Sequence, residues 1–234
     1  MYEVEKSYWW FAGKRDIIRA VLAGLGGADR RILDIGCGCG LNTVNLNRFG
    51  LTFPLDISEK ALCFCRERGL KRLVRSGVKP LPFKDNSFEL IVASDLIEHL
   101  DDDSSALKEF YRVLKKKGII LLTVPAHPFL YSYHDRALGH KRRYKRSELE
   151  KKVKESGFFI ERLTCFNMFL LPLAFLVRRF KSTKTDTKDK SDFFTKLPCL
   201  LNILFFAFLK LESFCIKTFN LPFGVSILIL GKKV

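Results

Sequence analysis

The stretch LDIGCGCGLNT, residues 33–43, is the most informative part of the sequence, because it places three glycines directly after a short apolar run that ends in an acid. Such a run is typical of a buried strand, and glycines at 36, 38 and 40 are typical of the turn that leads into a helix. A dinucleotide fingerprint would need glycine at Leu41, and a Walker loop would need a lysine that this turn lacks. The turn therefore predicts a ligand without a phosphate that approaches the main chain closely.

Apolar runs and amphipathic segments alternate outward from this turn to about residue 166. Helices are predicted at 42–50, 59–69, 104–118 and 146–157. Strands are predicted at 31–36, 51–57, 71–76, 87–95, 119–125 and 158–166, with a last strand in GVSILILGKKV (224–234). This alternation predicts a doubly wound α/β sheet that binds its ligand at the carboxyl ends of the strands.

The composition limits the class of protein and its partners. With 234 residues, 47% of them hydrophobic, the chain is long enough for one globular domain. The 41 basic and 25 acidic residues leave a net charge of +16, which favours an anionic partner or a solvated basic surface. Seven cysteines without a CxxC pair and a start that does not read as a signal peptide predict a cytoplasmic protein with reduced thiols.

Two acids identify the class of ligand. Asp56, at the end of the second strand, is placed for the two hydroxyls of a ribose. Asp34, at the end of the first strand, suits an ammonium group. S-adenosylmethionine has both parts and carries no phosphate, so it is the predicted cofactor.

Three stretches resemble the class I S-adenosylmethionine-dependent methyltransferases: LDIGCGCG, LDIS (55–58) and the block 81–125. The resemblance covers about residues 31–166. It implies a Rossmann-like seven-stranded sheet of order 3-2-1-4-5-7-6 with the last strand antiparallel. A single domain would then comprise an amino-terminal lid or helix (1–30), the cofactor-binding core (31–166), an apolar helical insertion (167–223) and the last strand (224–234).

The resemblance also implies the residues of the cofactor site. Gly36 and Gly38 would lie against the methionine part, and Ile57 would cover the adenine. Many relatives carry an acid where this chain has Gly77, so adenine recognition would fall to the backbone near Ser76–Val78. The implied set is Asp34, Gly36, Gly38, Asp56, Ile57, Gly77, Val78 and Ser94, with Arg15 or Lys14 reaching the methionine carboxylate.

The four histidines all lie between residues 99 and 140, near the predicted ends of strands four and five. Transfer to a hydroxyl requires a base, and the candidates are His99, His134 and His140. For His99, packing at a helix start is an equal alternative. A metal site from His127, His134, Asp135 and His140 lacks a helical i, i+4 pair, and no metal is predicted.

The segment HDRALGHKRRY (134–144) resembles a similar loop in a subset of these methyltransferases, often found with genes of surface polysaccharide or glycolipid synthesis. Its arginines suit bidentate contacts to phosphate or carboxylate, although a solvated basic loop is the alternative. The predicted acceptor contacts are His127, Tyr133, Asp135, Arg142, Arg143 and Tyr144.

The insertion contains two apolar runs, 165–177 and 197–209, which end before Arg178 and at Lys210. Each run is too short to cross a bilayer but long enough to lie in its interface. The alternatives are a helical cap and a contact with a second subunit. A polar linker is predicted between them at 181–192. The tryptophans at 9 and 10 could cover the cofactor or pack their helix on the sheet.

The sequence therefore predicts an enzyme that transfers a methyl group to oxygen of a small or lipid- or glycan-linked acceptor. It is expected in the cytoplasm, with peripheral association to the cytoplasmic face of a membrane. Nucleic acid is an unfavoured partner, because SDLI (94–97) stands where amino-group methylases carry Asn/Asp-Pro-Pro-aromatic. A nucleic-acid methyltransferase and a non-catalytic cofactor-binding scaffold are the alternatives.

Overall fold

The computed structural model describes residues 2–25, 29–173, 175–176 and 197–234. A seven-stranded sheet of order β3-β2-β1-β4-β5-β7-β6 runs through the molecule, and β7 is antiparallel to both of its neighbours. This confirms the predicted fold. The strands are β1 Arg30–Ile35, β2 Gly50–Asp56, β3 Val74–Arg75, β4 Phe88–Ser94, β5 Leu114–Pro125, β6 Phe158–Phe166 and β7 Ser226–Lys233.

Helices cover both faces of the sheet. They are α1 Val4–Ser7, α2 Trp9–Ala23, α3 Leu41–Leu46, α4 Glu59–Glu67, α5 Asp103–Val113, α6 Tyr133–Leu138, α7 Arg146–Glu155 and α8 Cys199–Thr218. The core on one face includes apolar side chains of α5 and α7, and the core on the other includes those of α2 and α8. The predicted linker at 181–192 and Arg178 lie outside the described residues.

The predicted helix 104–118 is too long, because α5 ends at Val113 and the chain enters β5 at Leu114. Leu114 pairs with Phe88 on β4, and its carbonyl oxygen accepts a hydrogen bond from Lys233 Nζ on β7 (2.8 Å). The basic residues that favour a helix end instead lie along the start of a strand. Partners far along the chain outweigh the local preference.

Helix α8 is longer than the predicted 13-residue run, because it continues past Lys210 to Thr218. It packs closely on α2: a Cβ atom on Gly13 would meet Leu209 Cδ1 at 2.4 Å. The buried Glu212 carboxylate accepts hydrogen bonds from the backbone N–H groups of Asn167 (2.5 Å) and Met168 (2.8 Å). By length and composition α8 could cross a membrane, with a mean hydropathy of 1.9 and 22% of its apolar window buried.

Candidate functional site

A cavity of about 700 Å³ opens at the carboxyl ends of β1, β4 and β5. The start of the antiparallel β7 closes the same end of the sheet, and α2, α6 and α8 complete the walls. Among the residues predicted from the sequence, the cavity is lined by Arg15, Asp34, Gly36, Gly38, Ser94, His99, His134, His140 and Arg143. The topology thus brings together residues that lie more than 120 positions apart.

The glycine turn lies at the floor of this cavity. Gly36, Gly38 and Gly40 all have positive φ, which L side chains rarely adopt. A Cβ atom on Gly38 would meet only Glu5 Oε1, at 3.8 Å, so this glycine faces open space. The turn therefore presents bare main chain to the cavity, as the sequence predicts for a closely approaching ligand.

Asp34 is buried in the cavity wall, where its carboxylate accepts a hydrogen bond from the Thr43 hydroxyl (2.5 Å). Burial raises the pKa of Asp34 to about 6, although the hydrogen bond from Thr43 and the charge of Lys14 oppose this shift. A cationic ligand group beside Asp34 would favour the ionised carboxylate.

Asp56 supports the turn from the side of β2. Its carboxylate accepts the N–H groups of Gly38 (2.9 Å) and Ser58 (2.8 Å). Asp56 and its neighbour Ile57, which is 72% exposed, are not among the residues that line the cavity. The same holds for Gly77 and Val78, so the ribose and adenine contacts stay predictions.

A polar chain of side chains follows the ends of β4 and β5. Ser94 Oγ lies 3.0 Å from Thr123 Oγ1, which donates to Asp95 (2.9 Å). Asp95 also forms an ion pair with Lys14 of α2 (2.7 Å). Burial opposes ionisation, but the pKa of Asp95 is lowered by Lys14 and by these hydrogen bonds. Sequence reasoning missed this pair, since its two members lie 81 positions apart.

His99 and His140 face each other at the polar end of the cavity, with ring centroids 4.8 Å apart. His140 Nδ1 lies 3.0 Å from Asp135 Oδ1, and His99 Nδ1 lies 3.1 Å from the Gly139 carbonyl oxygen. Burial lowers the pKa of His99. Asp135 also accepts from Arg143 Nε (2.8 Å), so one buried carboxylate holds both an imidazole and a guanidinium in place.

Next to these rings, Glu98 is fully buried in the turn Ile97–His99. Burial and the charge of Asp95 raise its pKa well above the usual range. Glu98 is not among the site residues predicted from the sequence. An acid that follows two apolar residues in DLIEHL (95–100) is the signal that could have indicated it.

The basic loop does not form one cluster of free cations. Lys141 pairs with Asp101, and Arg142 donates to the carbonyls of Leu100 (3.1 Å) and Asp101 (3.0 Å). The Tyr144 hydroxyl is buried and donates to Asp103 (2.7 Å). Of the six predicted acceptor contacts, Arg143 lines the cavity. The other five do not: His127, Tyr133, Asp135, Arg142 and Tyr144.

The other end of the cavity is apolar. Trp9 and Trp10 of α2 line it, and Phe205 of α8 packs edge-on against Trp9 (centroids 5.3 Å apart). Trp10 also stacks on Phe166 of β6 (5.7 Å). The tryptophans thus take both predicted positions, at the cavity wall and between their helix and the sheet.

The cavity residues fit S-adenosylmethionine on three counts. Gly38 leaves space at the main chain, Asp34 offers a buried carboxylate for an ammonium group, and the glycine turn contains no cation that a phosphate would require. Asp34, Gly36 and Gly38 would hold the methionine part, and Arg15 lies on the same wall. The guanidinium of Arg15 currently donates to the Glu5 carbonyl oxygen (2.9 Å).

The raised pKa of Asp34 predicts a dependence of stability on pH. Its pKa is about 6 when folded and 3.8 for an exposed aspartate, so its stabilising contribution is present below pH 3.8 and is lost as pH rises through about 6. At neutral pH the ionised group lowers the free energy of unfolding by about 3 kcal/mol. We therefore expect Asp34→Asn to gain stability over the native chain between pH 4 and pH 7.5, measured by urea unfolding.

The exposed Asp29 provides the control, and Asp29→Asn should follow the native chain at every pH. A constant difference between Asp34→Asn and the native chain from pH 4 to 7.5 would contradict the assignment. The same variant should bind S-adenosylmethionine more weakly, because an amide carries no charge for the ligand's ammonium group.

Comparisons with known proteins agree with this geometry. Residues 33–122 match the family model described as a methyltransferase domain. A Mycolicibacterium smegmatis protein named "probable S-adenosylmethionine-dependent methyltransferase" is 28% identical over 161 residues, which are 67% of this chain and 62% of that protein. The demethylmenaquinone methyltransferase of Corynebacterium glutamicum is 33% identical over 89 residues, 38% of each chain. The chain thus spans about half the length of the curated relatives it matches.

Among solved structures, a Bacillus halodurans protein is similar with a TM-score of 0.63 and 23% identity. The superposition covers 93% of this chain and 98% of that protein. At this identity the likeness shows the fold alone.

Proposed function

The chain belongs to the class I S-adenosylmethionine-dependent methyltransferases, and on that premise we propose that it methylates an oxygen atom of a lipid-linked acceptor. S-adenosylmethionine supplies an electrophilic methyl group when it is bound. The observation that carries the proposal is the continuity of the cavity, which runs from the glycine turn, past the histidines, to an apolar end.

The polar end of the cavity is suited to an acceptor hydroxyl. His99, His134 and His140 line it, and an imidazole nitrogen is a group that can accept the proton of a hydroxyl. Asp135 holds the ring of His140 through Nδ1, and this contact fixes the orientation of the other ring nitrogen, Nε2. Trp10 and Phe205 would exclude water from the reacting atoms, and exclusion of water strengthens the local electrostatic contacts.

The apolar end supports an acyl or prenyl chain on the acceptor. Leu173, Leu201 and Phe205 line the cavity here, and each belongs to the insertion between β6 and β7. The relative named as a demethylmenaquinone methyltransferase is consistent with a small or lipid-like acceptor. Arg143 is the cation of the basic loop that reaches the cavity, so it is our candidate for an anionic head group.

We extend the proposal to peripheral membrane association at the cytoplasmic face. Leu200 (81% exposed), Ile203 and Phe214 (70% exposed) lie on the part of α8 that points away from the protein. The opposite side of α8 is anchored by Leu209 and Glu212, which supports a helix that lies in the interface over one that spans the bilayer. A net charge of +16 would favour anionic lipid.

We expect the protein to float with anionic liposomes, and Phe214→Asp to lower the bound fraction about tenfold, because a phenylalanine loses about 2 kcal/mol of apolar burial. The matched control is Phe159→Asp on β6, where the phenylalanine is 61% exposed near the opposite end of the sheet. Added salt should weaken binding of the native chain. Equal losses in the two variants, or no flotation at low salt, would contradict the membrane proposal.

The proposed reaction is tested with methyl-labelled S-adenosylmethionine and a fractionated cell extract. Label is expected in the lipid fraction. Label in RNA or DNA would support the nucleic-acid alternative, which would also require steeply salt-dependent binding. Cofactor binding without label in any fraction would support a non-catalytic scaffold.

A further inference from the structure

The buried carboxylate of Glu98 lacks a partner that its position demands. It is 0% exposed, and neither oxygen has a hydrogen-bond partner within the part of the chain that the structure describes. A buried carboxylate without a compensating group is strongly unfavourable. The nearby cations are already paired, Lys14 with Asp95 and Arg143 with Asp135.

Two imidazoles surround this carboxylate. His140 Nε2 lies 4.0 Å from Glu98 Oε1, and one potential ligand atom each from Glu98, His99 and His140 lie within 4.8 Å of one another. Nitrogen and carboxylate oxygen are the ligands that divalent transition metals such as Zn²⁺ and Co²⁺ accept. Both histidines also line the cavity, whereas Glu98 lies behind them.

Both histidine rings are held by an outer partner, as metal-binding histidines usually are. His140 Nδ1 donates to Asp135 (3.0 Å), which leaves the lone pair on Nε2, the nitrogen that faces Glu98. Asp135 is itself fixed by Arg143 Nε (2.8 Å). The ring of His99 is held at its Nδ1 by the Gly139 carbonyl (3.1 Å). The protein thus fixes ring orientation before any ion arrives.

We propose that Glu98, His99 and His140 bind one divalent transition-metal ion at the polar end of the cavity. Two imidazoles and one carboxylate leave coordination positions open, and these would face the cavity. Ligand atoms about 2.1 Å from a common ion lie closer together than 4.8 Å, so the side chains must move inward by about 1 Å. The sequence predicts no metal. With an ion on His99 and His140, these two imidazoles would not act as the base of the proposed reaction, and that role would fall to His134.

The test is binding of Zn²⁺ or Co²⁺ to the untagged full chain after chelator treatment, measured by calorimetry and by elemental analysis after dialysis. One ion per chain is expected, with a visible Co²⁺ spectrum that reports histidine ligands. Glu98→Gln and His140→Gln should each weaken binding about 100-fold or more. Zn²⁺ should raise the melting temperature of the native chain but not that of Glu98→Gln.

His127→Gln provides the control, because His127 is a partly buried histidine of the same region outside the three-residue cluster. It should bind Zn²⁺ like the native chain. Two outcomes overturn the proposal: less than one ion bound by the native chain at micromolar Zn²⁺, or equal affinities for the native chain and Glu98→Gln. The number of ions bound is measured on the native chain alone, so this outcome remains decisive even if a variant fails to fold.

Discussion

Gly38→Val is expected to abolish binding of S-adenosylmethionine while the sheet remains folded. Gly38 has φ +55° and faces open space at the floor of the cavity, so a valine side chain would occupy the volume that the ligand requires. The backbone strain costs about 1–3 kcal/mol, which a folded domain of this size can tolerate. Calorimetric titration of the folded variant measures the loss.

Gly69→Val separates the lost ligand space from the strain. Gly69 also has a positive φ (+76°), and an added Cβ there would meet no atom within 4 Å. The two variants should unfold at similar urea concentrations, but only Gly38→Val should lose the ligand. Retained binding in Gly38→Val would place the cofactor elsewhere in the molecule.

Asp135→Ala is expected to be the most destabilising change near the cavity, by about 3–5 kcal/mol. The variant leaves the Arg143 guanidinium, whose side chain is 2% exposed, without its carboxylate. It also removes the partner of His140 Nδ1. Methyl transfer should therefore fall further than the folded fraction does, measured by urea unfolding alongside turnover.

Asp101→Ala is the matched control, since Asp101 pairs with another cation of the same loop, Lys141, but lies at the surface. An exposed pair contributes little, so this variant should unfold at nearly the same urea concentration as the native chain. Equal losses of unfolding free energy in Asp135→Ala and Asp101→Ala would contradict the larger contribution expected of the buried pair. Asp135→Asn should recover part of the stability, because an amide oxygen can still accept a hydrogen bond.

The individual strands could be predicted because their sequence signals are local. The apolar run before Gly36 and the acid at Asp56 each lie within one strand and its turn. The resemblance over residues 81–125 then implied the sheet order that the structure confirms. The ends of helices and strands were harder to predict. Leu114, for example, belongs to a strand because of its partners on β4 and β7, which local periodicity cannot reveal.

The distribution of charge could not be predicted, because it too depends on contacts between residues that are distant in sequence. Lys141, Arg142 and Arg143 are adjacent in sequence and suggest one basic patch. In the folded chain they meet acids or carbonyls from different segments, and only Arg143 reaches the cavity. Helix α8 continues beyond Lys210, whose side chain is exposed to solvent. The next acid, Glu212, is buried and accepts hydrogen bonds from backbone N–H groups more than 40 positions away.

The isolation of Glu98 is the clearest case of information that only the fold contains. The burial of Glu98 could have been predicted from its apolar neighbours in the sequence. Whether a buried acid is paired depends on the positions of Lys14, Arg143 and His140, which come from helix α2 and from the loop between α6 and α7.

We propose that one cavity joins the cofactor to an acceptor taken from a lipid surface. This is tested by the initial rate of S-adenosylhomocysteine formation with extracted membrane lipid in vesicles, compared with the rate with the water-soluble fraction of the same cells. We expect turnover with the vesicles, none with Gly38→Val, and little with the soluble fraction. Equal rates with the soluble fraction alone would contradict it.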